Sequence, residues 1–159
     1  MNDHDGQPGG RAASLRERQA ELVEALTSGG PVPRGFDGRR VEAARVALLR
    51  KRAGEVARPW PSLAAAFGPR WVGVFAGWAD RRPTLGALRD GWDLARDLES
   101  RGELPAAAGA ELAIREAAWR YDGRSAPRAR RAPAIRRAAG SVAIQIAGWV
   151  RVVNSVRRP

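Results

Sequence analysis

Two hydrophobic periods divide this chain, and they cannot belong to one kind of element. Up to Tyr121 apolar residues recur every three to four positions, whereas Val142, Ile144 and Ile146 alternate strictly with Ala143, Gln145 and Ala147. The first spacing lines one face of a helix, and the second lines one face of a strand. A break in charge falls between them. Up to Asp122 there are 19 Lys or Arg against 17 Asp or Glu, while residues 123–159 carry nine Arg and no acid. The net charge of +11 therefore sits mostly in the C-terminal segment. The expected architecture is a mainly α protein: a six-helix bundle of nearly neutral charge with a short, strongly basic C-terminal β-hairpin or strand appendage.

Punctuation places the helices. Residues 1–13 are polar and Gly-rich and read as a disordered leader. Ser14 and Glu17 form a capping box ahead of Leu15, Gln19, Leu22, Val23 and Leu26, which end at Gly29-Gly30. Asp37 is a good N-cap for a long second helix with Val41, Leu48, Leu49, Arg52 and Val56 on one face. Pro59-Trp60-Pro61 breaks it. A short segment to Phe67, an aromatic helix around Trp71 and Phe75, a fifth from Thr84 to Gly102 and a sixth from Pro105 to Tyr121 complete residues 14–122. Gly91, inside the fifth helix, costs about 1 kcal/mol relative to Ala, so it implies a close helix approach. Trp60, Trp71, Trp78, Trp92 and Trp119 are expected to point inward.

Residues 123–137 contain six Arg and two Pro, which is a linker composition. Residues 138–156 are expected to form the β appendage. Ala138-Ala139-Gly140 reads as a turn between Pro133–Arg137 and the alternating run, which Val150 and Val152 resume. Trp149 is read as pointing away from the Val/Ile face, as an exposed contact residue. A lone hairpin is marginal in water and must pack on the body, a partner or a copy of itself.

Catalytic chemistry finds no constellation. There is no Cys, and the single His is His4, inside the leader, so Ser-His-Asp and Cys-His arrangements are absent. Asp90, Asp93 and Asp97 share a helix face with Arg89 and Arg96 nearby, the pattern of a solvated face rather than a metal or acid–base site. Glu116 lies among apolar residues and needs a cationic partner, for which Arg45 and Arg52 are candidates. No phosphate-cradling Gly loop occurs. The longest uncharged run among the apolar segments, Ala138–Val150, has 13 residues, against roughly 20 for a spanning helix. With no secretory signal pattern, a cytoplasmic protein is expected, with no membrane partner, no cofactor, no metal and no enzymatic activity.

The basic segment, with Arg124, Arg128, Arg130, Arg131, Arg136 and Arg137, has three readings. It is a solubilising linker, a salt-sensitive site for nucleic-acid phosphates, or a patch that steers an acidic peptide onto the neighbouring strand edge. For the last, Ile135, Val142, Ile144, Ile146 and Trp149 are the contact residues.

Four features from Leu15 to Tyr121 resemble a known family. They are Leu15-x3-Gln19-x2-Leu22; the long helix containing Arg45 that ends in Trp60-Pro61, followed by Leu63-x4-Gly68 and the helix around Trp71 and Phe75; Arg82-Pro83 leading into Leu88-x2-Gly91-Trp92; and Glu111-Leu112-Ala113-x2-Glu116. Together they resemble the N-terminal helical domain of the HvfC/BufC type, first catalogued as a DNA-binding domain. The chain also resembles short actinobacterial proteins with a similar body and an Arg-rich β tail. The first resemblance implies a non-catalytic partner of a multinuclear non-heme iron enzyme that modifies a ribosomally made precursor peptide. The alternative is a non-specific DNA-associated protein gripping phosphates through its Arg-rich segment.

Overall fold

Local signals set the helix ends in the structure, a computed structural model that describes residues 8–146 and 149–154. The helices are α1 (Pro8–Thr27), α2 (Gly38–Ala57), α3 (Pro61–Phe67), α4 (Trp71–Ala79), α5 (Ala87–Ser100) and α6 (Ala106–Ala118), with a 3-10 turn at Gly68–Arg70. The Asp37 carboxylate caps α2 by accepting the Arg39 and Arg40 amides at 2.9 and 3.4 Å. Pro61 occupies the first turn of α3, where its missing N–H costs nothing. The backbone of α1 starts at Pro8, ahead of the expected Ser14 cap, and residues 1–7 of the expected leader lie outside the described residues. No helix among the described residues is long and apolar enough to cross a membrane.

The core is built around paired indoles. Trp60 and Trp92 are fully buried and meet edge to face, with centroids 5.9 Å apart. Three indole N–H groups are satisfied: Trp60 donates to the Leu88 carbonyl, Trp71 to Ala53 and Trp92 to the Glu116 carboxylate, all at 2.9 to 3.0 Å, whereas the buried Trp78 N–H has no partner. Gly91 makes room for this pair, because a Cβ there would lie 2.2 Å from Trp60 Cδ1. Trp78 is half-buried against the core, but Trp119 is not inward: it is 43% exposed, in a strand beyond the end of α6.

Five short strands follow: β1 (Trp119–Arg120), β2 (Arg128–Ala129), β3 (Ala134–Ala138), β4 (Ser141–Ile146) and β5 (Trp149–Asn154). β1 and β2 pair antiparallel, and β3, β4 and β5 form a separate antiparallel meander with β4 in the centre. The expected turn is present. Ala139 and Gly140 have φ of 42° and 80°, the two positive values that a two-residue hairpin loop needs.

The helices do not close into a six-helix bundle. One side of α6 packs on the meander, which contributes Ala138 and Ala143 to the same core as the helices. The protein is mainly α with a strand appendage that is terminal in sequence and part of the core in space. Residues 123–137, which read as a linker, include β2 and most of β3. They are held because the Arg130 amide donates to the Ala118 carbonyl at 2.8 Å, and its Nε reaches the carbonyls of Glu116 and Trp119 at 3.0 Å.

Two substitutions test this packing. A Cβ at Gly109 would sit 2.4 Å from Ala139 Cβ and 2.9 Å from the Ala138 carbonyl oxygen. Gly109→Ala, which helix propensity alone would favour by about 1 kcal/mol, is expected to destabilise by roughly 1–3 kcal/mol through overpacking, with faster amide exchange in β3 and β4. Asp90→Ala strands the buried Arg52 guanidinium and is expected to cost about 3–5 kcal/mol in urea unfolding.

Candidate functional site

The meander turns Ala138 and Ala143 inward with Val150 and Val152, and Ile135, Val142 and Ile144 outward. Ala138, Ala143 and Gln145 are buried on the α6 side. Paired residues of an antiparallel ladder share a face, so the register Ile135–Ile144–Arg151 and Arg137–Val142–Val153 places these six together on the outer side. Trp149 pairs with Ile146 on that side too. Ile135 is 58% exposed, Val153 57% and Trp149 82%, while Val142 and Ile144 are half-buried between them. The Ile146 side chain lies outside the described residues.

Trp149 therefore stands on the Val/Ile face, not away from it. The reason is parity. Where 146 faces 149 across two intervening residues, even numbers on β4 share a face with odd numbers on β5. Reading Val150 and Val152 as a continuation of the even series placed them on the wrong side. They pack toward the core, and Arg151 and Val153 are the outer-face residues that reasoning missed. The signal was available, since a two-residue connection flips parity.

The six tail arginines do not form one patch. Arg137 lies on the outer face, while Arg136 is on the inner register and half-buried. Arg124 and Arg131 are exposed on connecting segments. Arg128 and Arg130 line a separate concavity of about 450 Å³ with Arg120, Tyr121, Asp122, Ser125 and Ala126. Burial pulls the Arg130 guanidinium below its ordinary value, and the neighbouring charges of Arg136 and Arg120 act in the same direction.

The acids of the body are structural. Asp90 is not on a solvated face: it is 3% exposed, 3.1 Å from Arg52, and accepts the Thr84 hydroxyl at 2.6 Å and the Leu85 amide at 2.8 Å. Asp93 accepts the Tyr121 hydroxyl at 3.0 Å, and Asp97 pairs with Arg101 at 3.0 Å. The partner of Glu116 is neither Arg45 nor Arg52 but Arg96, at 2.6 Å, since Arg45 is engaged by Asp80 and Arg52 by Asp90. Among the described residues no three of His, Cys, Asp and Glu come together as a metal-ligand group.

Residues 16–100 match the family described as SCO6045-like, C-terminal domain, which is more than half of the chain. The chain belongs to this family. The matched stretch of this SCO6045-like domain runs from α1 to the end of α5, so α6, both sheets and the concavity lie beyond it. A UPF0276 protein of Streptomyces avermitilis is 38% identical over 81 residues, 50% of this chain and 17% of that relative. The chain thus spans a small part of the relative's length. That relative is actinobacterial, and the matches do not show membership of the HvfC/BufC-type family. No solved structure matches.

Tyr121, the single tyrosine, gives a probe of this region. Burial, then its bond to Asp93, pushes its hydroxyl from 10 up to about 12. A folded value above the unfolded one stabilises fully below the unfolded value and is lost as pH rises through the folded one. The urea midpoint is therefore expected to fall between about pH 10 and 12. Tyr121→Phe should remove that slope, and ultraviolet titration of the parent should show the single phenol ionising late.

Proposed function

We propose that the protein is a non-catalytic partner that docks on a peptide-modifying enzyme of the multinuclear iron oxygenase kind and holds the enzyme's acidic precursor peptide in extended form. The observation that carries this reading is the outer face of the meander. Ile135, Val142, Ile144, Trp149 and Val153 form an apolar surface flanked by Arg137 and Arg151, with no helix over it among the described residues. Such a face suits β-branched side chains, and its arginines suit interspersed carboxylates.

The edges add main-chain bonding. β3 follows Pro133 and carries Arg136 and Arg137, features that blunt an edge against pairing. β5 has Trp149, Val150, Val152 and Val153 with a single Arg, so it is the edge better suited to receive a further strand. The resemblance of Leu15–Tyr121 to HvfC/BufC-type domains supports the choice of enzyme partner. A related 81-residue segment within a much longer protein supports association with a larger body.

The test is a displayed library of extended peptides that alternate β-branched and acidic residues. Selected peptides are expected to bind the full chain and to lose affinity roughly tenfold or more against Trp149→Ala and Ile144→Glu, with circular dichroism unchanged. No enrichment, or equal binding to both variants, overturns the reading. Retardation of duplex DNA at about 50 mM salt, undiminished in these variants, would favour the nucleic-acid alternative instead.

A further inference from the structure

The concavity beside β1 and β2 differs from the docking face in position and in chemistry. Its charged lining is Arg120, Arg128, Arg130 and Asp122, which leaves a local excess of two positive charges. Asp122 does not cancel the cations by direct pairing. Its carboxylate accepts the amides of Arg124 and Ser125 at 2.8 and 2.7 Å and so builds the turn that forms one wall. The Tyr121 hydroxyl is likewise engaged, by Asp93.

Arg120 and Arg128 are directly opposed in the β1–β2 ladder. Like charges at such a pair are destabilising, and among the described residues neither has a carboxylate within ion-pair distance. In the helical body Arg45, Arg52, Arg96 and Arg115 each meet an acid, and the half-buried Arg89 donates to the Leu85 and Arg124 carbonyls. Three guanidinium groups gathered round a recess of about 450 Å³ are therefore an arrangement that an anion completes.

We infer that this concavity is an oxyanion site for a phosphate dianion, held by Arg120, Arg128 and Arg130. A phosphate or phosphate monoester carries about −1.5 to −2 at neutral pH, which matches the local excess, whereas one carboxylate would leave it half-compensated. Guanidinium forks suit phosphate oxygens in bidentate geometry, and the recess is of small-molecule size rather than a groove that tracks a duplex. None of its lining residues belongs to the outer face of the meander, so it works or fails independently of peptide docking.

The experiment is a titration of the full chain with inorganic phosphate against sodium chloride of equal ionic strength. It is read by thermal unfolding and by the nitrogen-15 spectra of the arginine Nε–H groups. Phosphate is expected to raise the midpoint saturably and to shift the Arg120 and Arg128 signals. In Arg120→Gln and Arg128→Gln the Kd should rise at least tenfold, the equivalent of about 1.4 kcal/mol. In chloride both variants should melt no lower than the parent, because each relieves the opposed pair. Phosphoserine separates the sources: tighter binding than inorganic phosphate identifies a phosphoryl group carried on a ligand, and equal binding identifies the free ion. Equal phosphate stabilisation in parent and variants overturns the site. So does the absence of a saturable shift up to about 10 mM, ten times a Kd of 1 mM.

Discussion

Because α6 approaches β3 so closely at Gly109 that a Cβ there would sit 2.4 Å from that of Ala139, only small side chains fit between helix and sheet at that point. Ala138 and Ala143 fill that layer. The consequence is an inversion of the usual amphipathic strand, in which the bulkier residues face the core. On β3 and β4 it is Ile135, Val142 and Ile144 that stand on the side away from the helices, joined there by Trp149 and Val153, while Val150 and Val152 of β5 pack inward. The sheet docks through Ala138 and Ala143, with Val150 and Val152 beside them. Its stability rests on close packing and on the arginine clasp from Arg130 to the end of α6.

Arginine works in two ways along this chain. In the body its planar fork spans groups that a lysine ammonium could not reach together. Arg52 donates to Asp90 and to the Arg82 carbonyl, both at 3.1 Å, and Arg96 joins Glu116 to the Tyr121 carbonyl. The guanidinium groups of Arg52, Arg82, Arg96 and Arg115 also lie over aromatic rings, Arg115 at 4.4 Å from the Trp60 centroid being the closest. In the tail, with no acids in the same stretch, the cations accumulate instead of pairing.

Much of the helical order was legible because it is written in local signals. Asp37, Pro61 and the turn at Ala139-Gly140 act on their immediate neighbours, and Gly91 announced a close approach that Trp60 supplies. What was not legible depends on distance in space. Asp90 looks solvated beside Arg89 in sequence, and only the placement of α2 brings Arg52 to it. Arg96 lies 20 positions from Glu116, and the crossing of α5 and α6 decides that pairing. Arg120 gave no signal at all, since its significance arises when β1 meets β2.

The separation of charge from apolar surface has a kinetic meaning under the proposed function. Fields from exposed arginines act over about 8–10 Å at ordinary ionic strength and raise the rate of encounter with an acidic partner. Dissociation is governed by what is desolvated after contact, and that is the Ile135–Ile144–Trp149 surface. Arg137 and Arg151 are the two cations placed on that surface by register, so they join the two tasks. A second copy of the same chain would bring like charges together across this face. Self-association through the meander is thus opposed by the charges that would favour an acidic peptide.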